Sequence, residues 1–86
     1  MKDLTMFILP NCPHCKLALK FQQELIEENP EFSKINITMI DESAQPEIAD
    51  KYDYYYVPCW FAGKEKLFEG HAEKADVEKV LRAASK

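Results

Sequence analysis

Glycine is scarce in this sequence. Gly63 and Gly70 are the only two in 86 residues, and no low-complexity stretch, linker or internal repeat divides the chain. That length leaves room for one domain, residues 1–86, and no more. Long apolar runs are missing as well: nothing approaches the roughly 20 residues that a membrane span requires. The short run Leu4–Leu9, preceded by Lys2 and Asp3, has neither the length nor the small-residue cleavage site of a signal peptide. The chain is therefore expected to be cytoplasmic, with no membrane partner. Nor is there an excess of charge of one sign. The 11 basic against 15 acidic side chains give a net −4, which offers no electrostatic ground for binding nucleic acid or an anionic membrane. Cysteine is present in an odd number, three, so a fully paired disulfide framework is excluded within a monomer. Packing, metal binding or redox chemistry has to account for the thiols, because structural disulfides are rare in a reducing compartment.

What is present can supply a core, since 47% of the residues are hydrophobic, although domains this small are only marginally stable. Leu4–Leu9, rich in Met, Phe, Ile and Leu, reads as a buried strand that Pro10, Asn11 and Pro13 then break. From Pro13 to about Glu28 the apolar positions Leu17, Ala18, Phe21 and Leu25 follow helical spacing, and Asn29-Pro30 supplies the stop. Ile35, Ile37 and Met39, alternating with Asn36, Thr38 and Ile40, predict a second strand. Asp41 and Ser43 offer caps for a short helix whose apolar face is Ile48, Ala49 and Tyr52, with Pro46 tolerable only in its first turn. Val57–Ala62 and Glu65–Glu69 predict two strands joined by a tight turn at Gly63-Lys64. Ala72–Ala84 closes the chain as a helix with the stripe Val77, Val80, Leu81 and Ala84.

The expected order is β-α-β-α-β-β-α, an α/β class. A helical crossover makes the first two strands parallel, and the hairpin makes the last two antiparallel. A four-stranded mixed sheet flanked by three helices buries these faces.

Cys12-Pro13-His14-Cys15 falls between the first strand and the first helix, and a C-x-x-C pair in a β-α-β setting is a redox motif with a physical basis. At a helix N-terminus, unpaired N–H groups and the helix dipole favour an anion. Such placement lowers a thiol pKa from about 8.5 into the range ~3.5–7.5, and the thiolate is the nucleophile. Cys12 is thus the expected attacking group and Cys15, about one turn on, its disulfide partner. Pro13 suits the first helical position, where its missing N–H costs nothing. An imidazole at His14, beside the thiolate, stabilises the reduced form and makes the disulfide more oxidising. Two other readings of the pair remain open. One is a soft-metal carrier for Cu(I) or Zn built on the two thiolates. The other is a non-catalytic interaction module. A structural zinc site needs four ligands, and Cys59, His14 and His71 supply no second paired spacing.

With these residues in view the chain resembles the glutaredoxins of the thioredoxin-like superfamily, whose usual motif is C-P-Y-C. Val57-Pro58 at the entry to the third strand is similar to the family's second hallmark, and the likeness in layout runs over nearly the whole chain. The resemblance implies a thiol–disulfide oxidoreductase with catalytic Cys12 and Cys15. It implies a substrate-binding surface at Pro13, His14, Val57 and Pro58, with a cis bond before Pro58, Pro58 packed beside Cys12 and the Val57 backbone pairing with the substrate. No cofactor or metal is built in. The partners it implies are a disulfide-containing protein or small molecule as substrate, and glutathione or a flavin-dependent thioredoxin-reductase-type donor of electrons to a monomer. Two departures stand out. Glutathione-binding members usually carry Gly-Gly and a nearby Asp before the last helix, where this chain has Glu69-Gly70-His71-Ala72 and reaches Asp76 only later. His14 replaces the usual tyrosine, giving a tetrad shared with a periplasmic disulfide oxidant, so a potential less reducing than thioredoxin's is expected; the W-C-G-P-C of thioredoxin is absent.

Five expectations concern neighbouring residues. Cys59 is expected to be a buried small hydrophobe. Trp60 is expected to be partly buried. Of Tyr52, Tyr54, Tyr55 and Tyr56, most should pack on the sheet and one ring should line the substrate groove. His71 is expected to start the last helix without a function. Lys16 and Lys20 are surface lysines, of which Lys16 is placed to act on the Cys15 thiolate.

Overall fold

Residues 2–86 are described by a computed structural model. The hydrophobic run at the N-terminus forms strand β1 (Leu4–Ile8), which leads through a turn into helix α1 (Pro13–Glu28). After a 3-10 turn at Pro30–Lys34 come strand β2 (Ile37–Asp41), the one-turn helix α2 (Pro46–Ala49), strands β3 (Cys59–Ala62) and β4 (Glu65–Glu69), and helix α3 (Lys74–Ala84). The expected order, four-stranded mixed sheet and three helices are all present. The strands lie in the order β2-β1-β3-β4. Strand β1 runs parallel to β2, with Leu4 opposite Ile37, and antiparallel to β3, with Phe7 opposite Cys59.

Side chains alternate across a strand, and here that alternation builds two cores. One face carries Leu4, Met6 and Trp60 under α1 and α3, which contribute Ala18, Leu25, Val77, Val80 and Leu81. The opposite face carries Phe7, Cys59 and Phe61, covered by Ala49 of α2, with Ile48, Tyr52, Tyr54 and Val57 packed around them. In the pairs Met6/Phe7 and Trp60/Phe61, successive residues thus serve opposite cores.

Several element boundaries differ from the sequence pattern, each for a local reason. Strand β1 ends at Ile8, one residue before Leu9. Strand β2 begins at Ile37 because Ile35 closes the 3-10 turn through its N–H to the Phe32 carbonyl. As an edge strand, β2 leaves Met39 53% exposed. Asp41 and Ser43 do not cap α2. The Asp41 carboxylate instead accepts the backbone N–H and the hydroxyl of Ser43, at 2.9 and 2.6 Å, and so holds the turn that follows β2. Helix α2 starts at Pro46, in its first turn as expected, with Gln45 in the capping position. Strand β3 starts at Cys59 rather than Val57, since Pro58 has no N–H to give a ladder. Helix α3 begins at Lys74 rather than Ala72, because the Asp76 carboxylate accepts the Glu73 N–H at 3.0 Å and fixes the helix entry there.

Trp60 is fully buried rather than partly so. What makes this tolerable is Gln22, a buried polar residue of α1, whose Oε1 accepts the indole N–H at 3.1 Å.

Candidate active site

Strand β1 hands the chain to α1 through Leu9, Pro10 and Asn11, and the Cys12 N–H closes that turn on the Leu9 carbonyl at 3.3 Å. Cys12 is the N-cap of α1, in extended conformation (φ −85, ψ 118), and its carbonyl accepts the first helical N–H, from Lys16, at 3.1 Å. Pro13 occupies the first turn, as its fixed φ favours. The first turn of α1 contains no acidic residue, so nothing in it neutralises the positive helix end. Burial works against ionisation of the Cys12 thiol. It is outweighed by the backbone N–H and thiol of Cys15 and by the backbone N–H of His14, which together bring the Cys12 pKa below the ordinary thiol value.

Cys15 behaves oppositely. It is buried, and burial pushes its thiol up to about 11, against a weaker lowering by the Leu9 N–H and with the charges on Cys12 and Glu42 adding to the rise. The Leu9 N–H donates to its sulfur at 3.5 Å. All three cysteines are unlinked, so this is the reduced form. One half-buried, acidified thiol lies beside one fully buried, protonated thiol, and that asymmetry distinguishes an attacking sulfur from a resolving one. Lys16 is not among the charges acting on Cys15, contrary to expectation. Cys59 is fully buried on the opposite core face, and burial drives its pKa to about 12, as suits an inert packing residue.

The second wall of the site comes from the approach to β3. The Val57–Pro58 peptide is cis. Because Phe7 pairs with Cys59 antiparallel, the start of β3 lies at the same end of the sheet as the end of β1, and the cis-proline loop thus shares that end with the Cys12 turn. Pro58 is buried, and its carbonyl accepts the Gly70 N–H at 2.8 Å. Gly70 has φ +91, a conformation that a side chain would strain. The loop is held from the other side by Glu69, whose Oε2 accepts the N–H groups of Tyr55 and Tyr56 at 2.9 and 3.2 Å while Oε1 binds Lys66. Lys66 first, then the Tyr55 N–H, hold the Glu69 carboxyl down at about 2.

The tyrosines divide cleanly. Tyr52 and Tyr54 pack on Phe7, each with its ring centre 4.8 Å from that of Phe7. Tyr55 and Tyr56 are 82% and 68% exposed beside the cis-proline, so the rings open to an incoming chain are these two. A hollow of about 380 Å³ lies against Cys12 and is lined by Leu9, Pro10, Asn11 and Ser43.

His14 is not isolated. Its Nδ1 lies 3.0 Å from Nδ1 of His71, the residue expected to have no function, and the His71 Nε2 lies 2.8 Å from a Glu73 carboxylate oxygen. Sequence separation hid this pairing, since the two histidines stand 57 positions apart. Among the described residues no group of three His, Cys, Asp or Glu side chains converges as a metal-ligand set, and no helix is long and apolar enough to cross a membrane.

No protein-family model and no curated protein matches the sequence. Solved structures do match in three dimensions. The oxidised thioredoxin of Plasmodium falciparum aligns over 96% of this chain and 80% of its own at 14% identity, with a TM-score of 0.72. A thioredoxin of Malassezia sympodialis aligns over 96% and 74% at 19% identity, with a TM-score of 0.74. A protein disulfide oxidoreductase of Aeropyrum pernix aligns over 95% of this chain and 37% of its own at 24% identity, with a TM-score of 0.66. The fold is thioredoxin-like.

Proposed function

We propose that this chain is a dithiol thiol–disulfide oxidoreductase of glutaredoxin type. The observation that carries the reading is the split between the two sulfurs of one helical turn, with Cys12 acidified at the start of α1 and Cys15 kept protonated beneath it. The Cys12 thiolate attacks one sulfur of a substrate disulfide. A Cys12–substrate bond forms, the substrate S–S bond breaks, and the departing thiolate takes a proton from solvent. Cys15 then gives up its proton and attacks the Cys12 sulfur, releasing the second substrate thiolate and leaving a Cys12–Cys15 disulfide. The substrate gains two electrons and the dithiol loses two.

Val57 and Pro58, with Pro13 and His14, form the substrate surface, and the Val57 backbone pairs with an extended segment of the substrate in the manner of an added strand. The substrate is a disulfide-containing protein or small molecule. A low-molecular-weight thiol such as glutathione, or a flavin-dependent reductase of the thioredoxin-reductase kind, returns the electrons. The protein works as a monomer in the cytoplasm without a bound cofactor. His14, in place of the tyrosine usual in C-P-Y-C proteins, raises the potential above that of thioredoxin.

A Cys15→Ser variant tests the order of attack. It retains the nucleophile and loses the resolving thiol, so incubation with a disulfide substrate is expected to accumulate a mixed disulfide at Cys12, visible by non-reducing mass spectrometry. No adduct, or an adduct at Cys59, contradicts the assignment.

A further inference from the structure

The contact between His14 and His71 constrains where the protons lie. A carboxylate only accepts hydrogen bonds, so the His71 Nε2 facing Glu73 at 2.8 Å carries a proton. A neutral imidazole with Nε2 protonated presents an unprotonated Nδ1. That Nδ1 therefore accepts from the His14 Nδ1–H across 3.0 Å. The rings meet edge to face, with centres 5.0 Å apart. The Nδ1 of His14 is thus committed to His71, and only its Nε2 is left for the thiol turn, solvent or substrate.

The surrounding charges leave this chain of contacts undisturbed. Lys74, next to Glu73, is engaged by Glu24 and Glu28 of α1. Asp76 accepts the Glu73 backbone N–H. The first turn of α1 has no acidic residue, and Glu73 is linked to it through the two imidazoles. His14 is the second residue of α1, and its own backbone N–H acts on the Cys12 sulfur.

Resting on the dithiol reading above, we propose that His71, with its tautomer fixed by Glu73, is a positioning residue that anchors the ring of His14, two residues after Cys12 at the start of α1, and thereby helps to set the redox poise of the Cys12–Cys15 pair. A ring held by His71 keeps one orientation at the start of α1, whereas a free one on an exposed surface spends its time in solvent. His71 and Glu73 are themselves exposed, with side-chain accessibilities of 46% and 68%, so the effect is a modest one.

The test is a double-mutant cycle read as the equilibrium of the Cys12–Cys15 disulfide with glutathione, in the presence of a chelator. His71→Ala is expected to shift the equilibrium constant about threefold toward the disulfide, ~14 mV at 29.6 mV per decade. His14→Ala should shift it further in the same direction. In the His14→Ala background, His71→Ala should add nothing. His71→Gln, which keeps an acceptor for His14 and a donor for Glu73, should lie closer to wild type than His71→Ala. If His71→Ala has its full effect without His14, or changes thermal stability but not the equilibrium, the positioning role is overturned. Failure of the wild-type protein to form the Cys12–Cys15 disulfide at all would instead overturn the dithiol reading beneath it.

Discussion

Cys12→Ser is expected to reduce disulfide exchange to the uncatalysed background, a loss of about 10³-fold or more, as when an enzyme's nucleophile is removed. The substitution is isosteric and leaves the fold intact. Cys12 makes no side-chain capping hydrogen bond to α1, whereas serine is a preferred N-cap, so stability should hold or rise by about 0.5–1 kcal/mol. Activity and stability should therefore move independently, which isolates the chemistry from folding. Catalysed reduction of a protein disulfide by dithiothreitol, read alongside a denaturation curve, measures both. The same variant separates the other readings of the motif. A non-catalytic binding module keeps its partner after Cys12→Ser. A soft-metal carrier copurifies with Cu(I) or Zn and loses the metal fully only when both cysteines are removed.

Trp60→Ala is expected to cost about 3–5 kcal/mol, the range for emptying a buried aromatic site. Total stability for a chain of this size is on the order of 5–10 kcal/mol, so the variant should lose most of its margin. Trp60 sits in β3 opposite Met6 of β1 and Phe68 of β4, within the core closed by α1 and α3. Its removal also leaves the buried Oε1 of Gln22 without its donor. Trp60→Phe separates the two contributions. It keeps most of the volume but strands Gln22, at a cost of about 1–3 kcal/mol. Adding Gln22→Met should recover part of that loss, because both polar groups are then gone together. Urea denaturation of the three variants measures the series, and an equal cost for Trp60→Phe with and without Gln22→Met would show that the hydrogen bond contributes nothing.

The parts of the fold legible in the sequence are those set by local pattern. Leu4–Ile8 is apolar at every position but Thr5, Pro13–Glu28 has helical spacing with proline at its start, and the C-x-x-C pair falls at their junction. The hairpin turn was legible too, because Gly63 takes φ +61 between β3 and β4. What escaped the sequence depends on partners far along the chain. Full burial of Trp60 requires Gln22, 38 residues away, and nothing near position 60 signals it. The pinning of Tyr55 and Tyr56 requires Glu69, and the function given to His71 requires His14. The exposure of Met39 follows from the edge position of β2, a property of strand order rather than of the alternating pattern. One signal was present but weak: Glu73 and Asp76 stand three apart at the start of α3, with an acidic pair in place of the Ser or Thr and Glu that usually mark a capping box.

The most direct test of the central claim is the pH dependence of thiol alkylation in the reduced protein, resolved cysteine by cysteine through peptide mapping. A thiol reacts as its thiolate, so each rate climbs through that group's own pKa. Cys12 is expected to label first, its rate levelling off below the pKa of an ordinary thiol, while Cys15 and Cys59 stay protected until the pH nears about 11 and about 12. A Cys12 that titrates at or above the pKa of an ordinary thiol, or a Cys15 that labels before it, would contradict the claim that the start of α1 holds an ionised sulfur ready for attack.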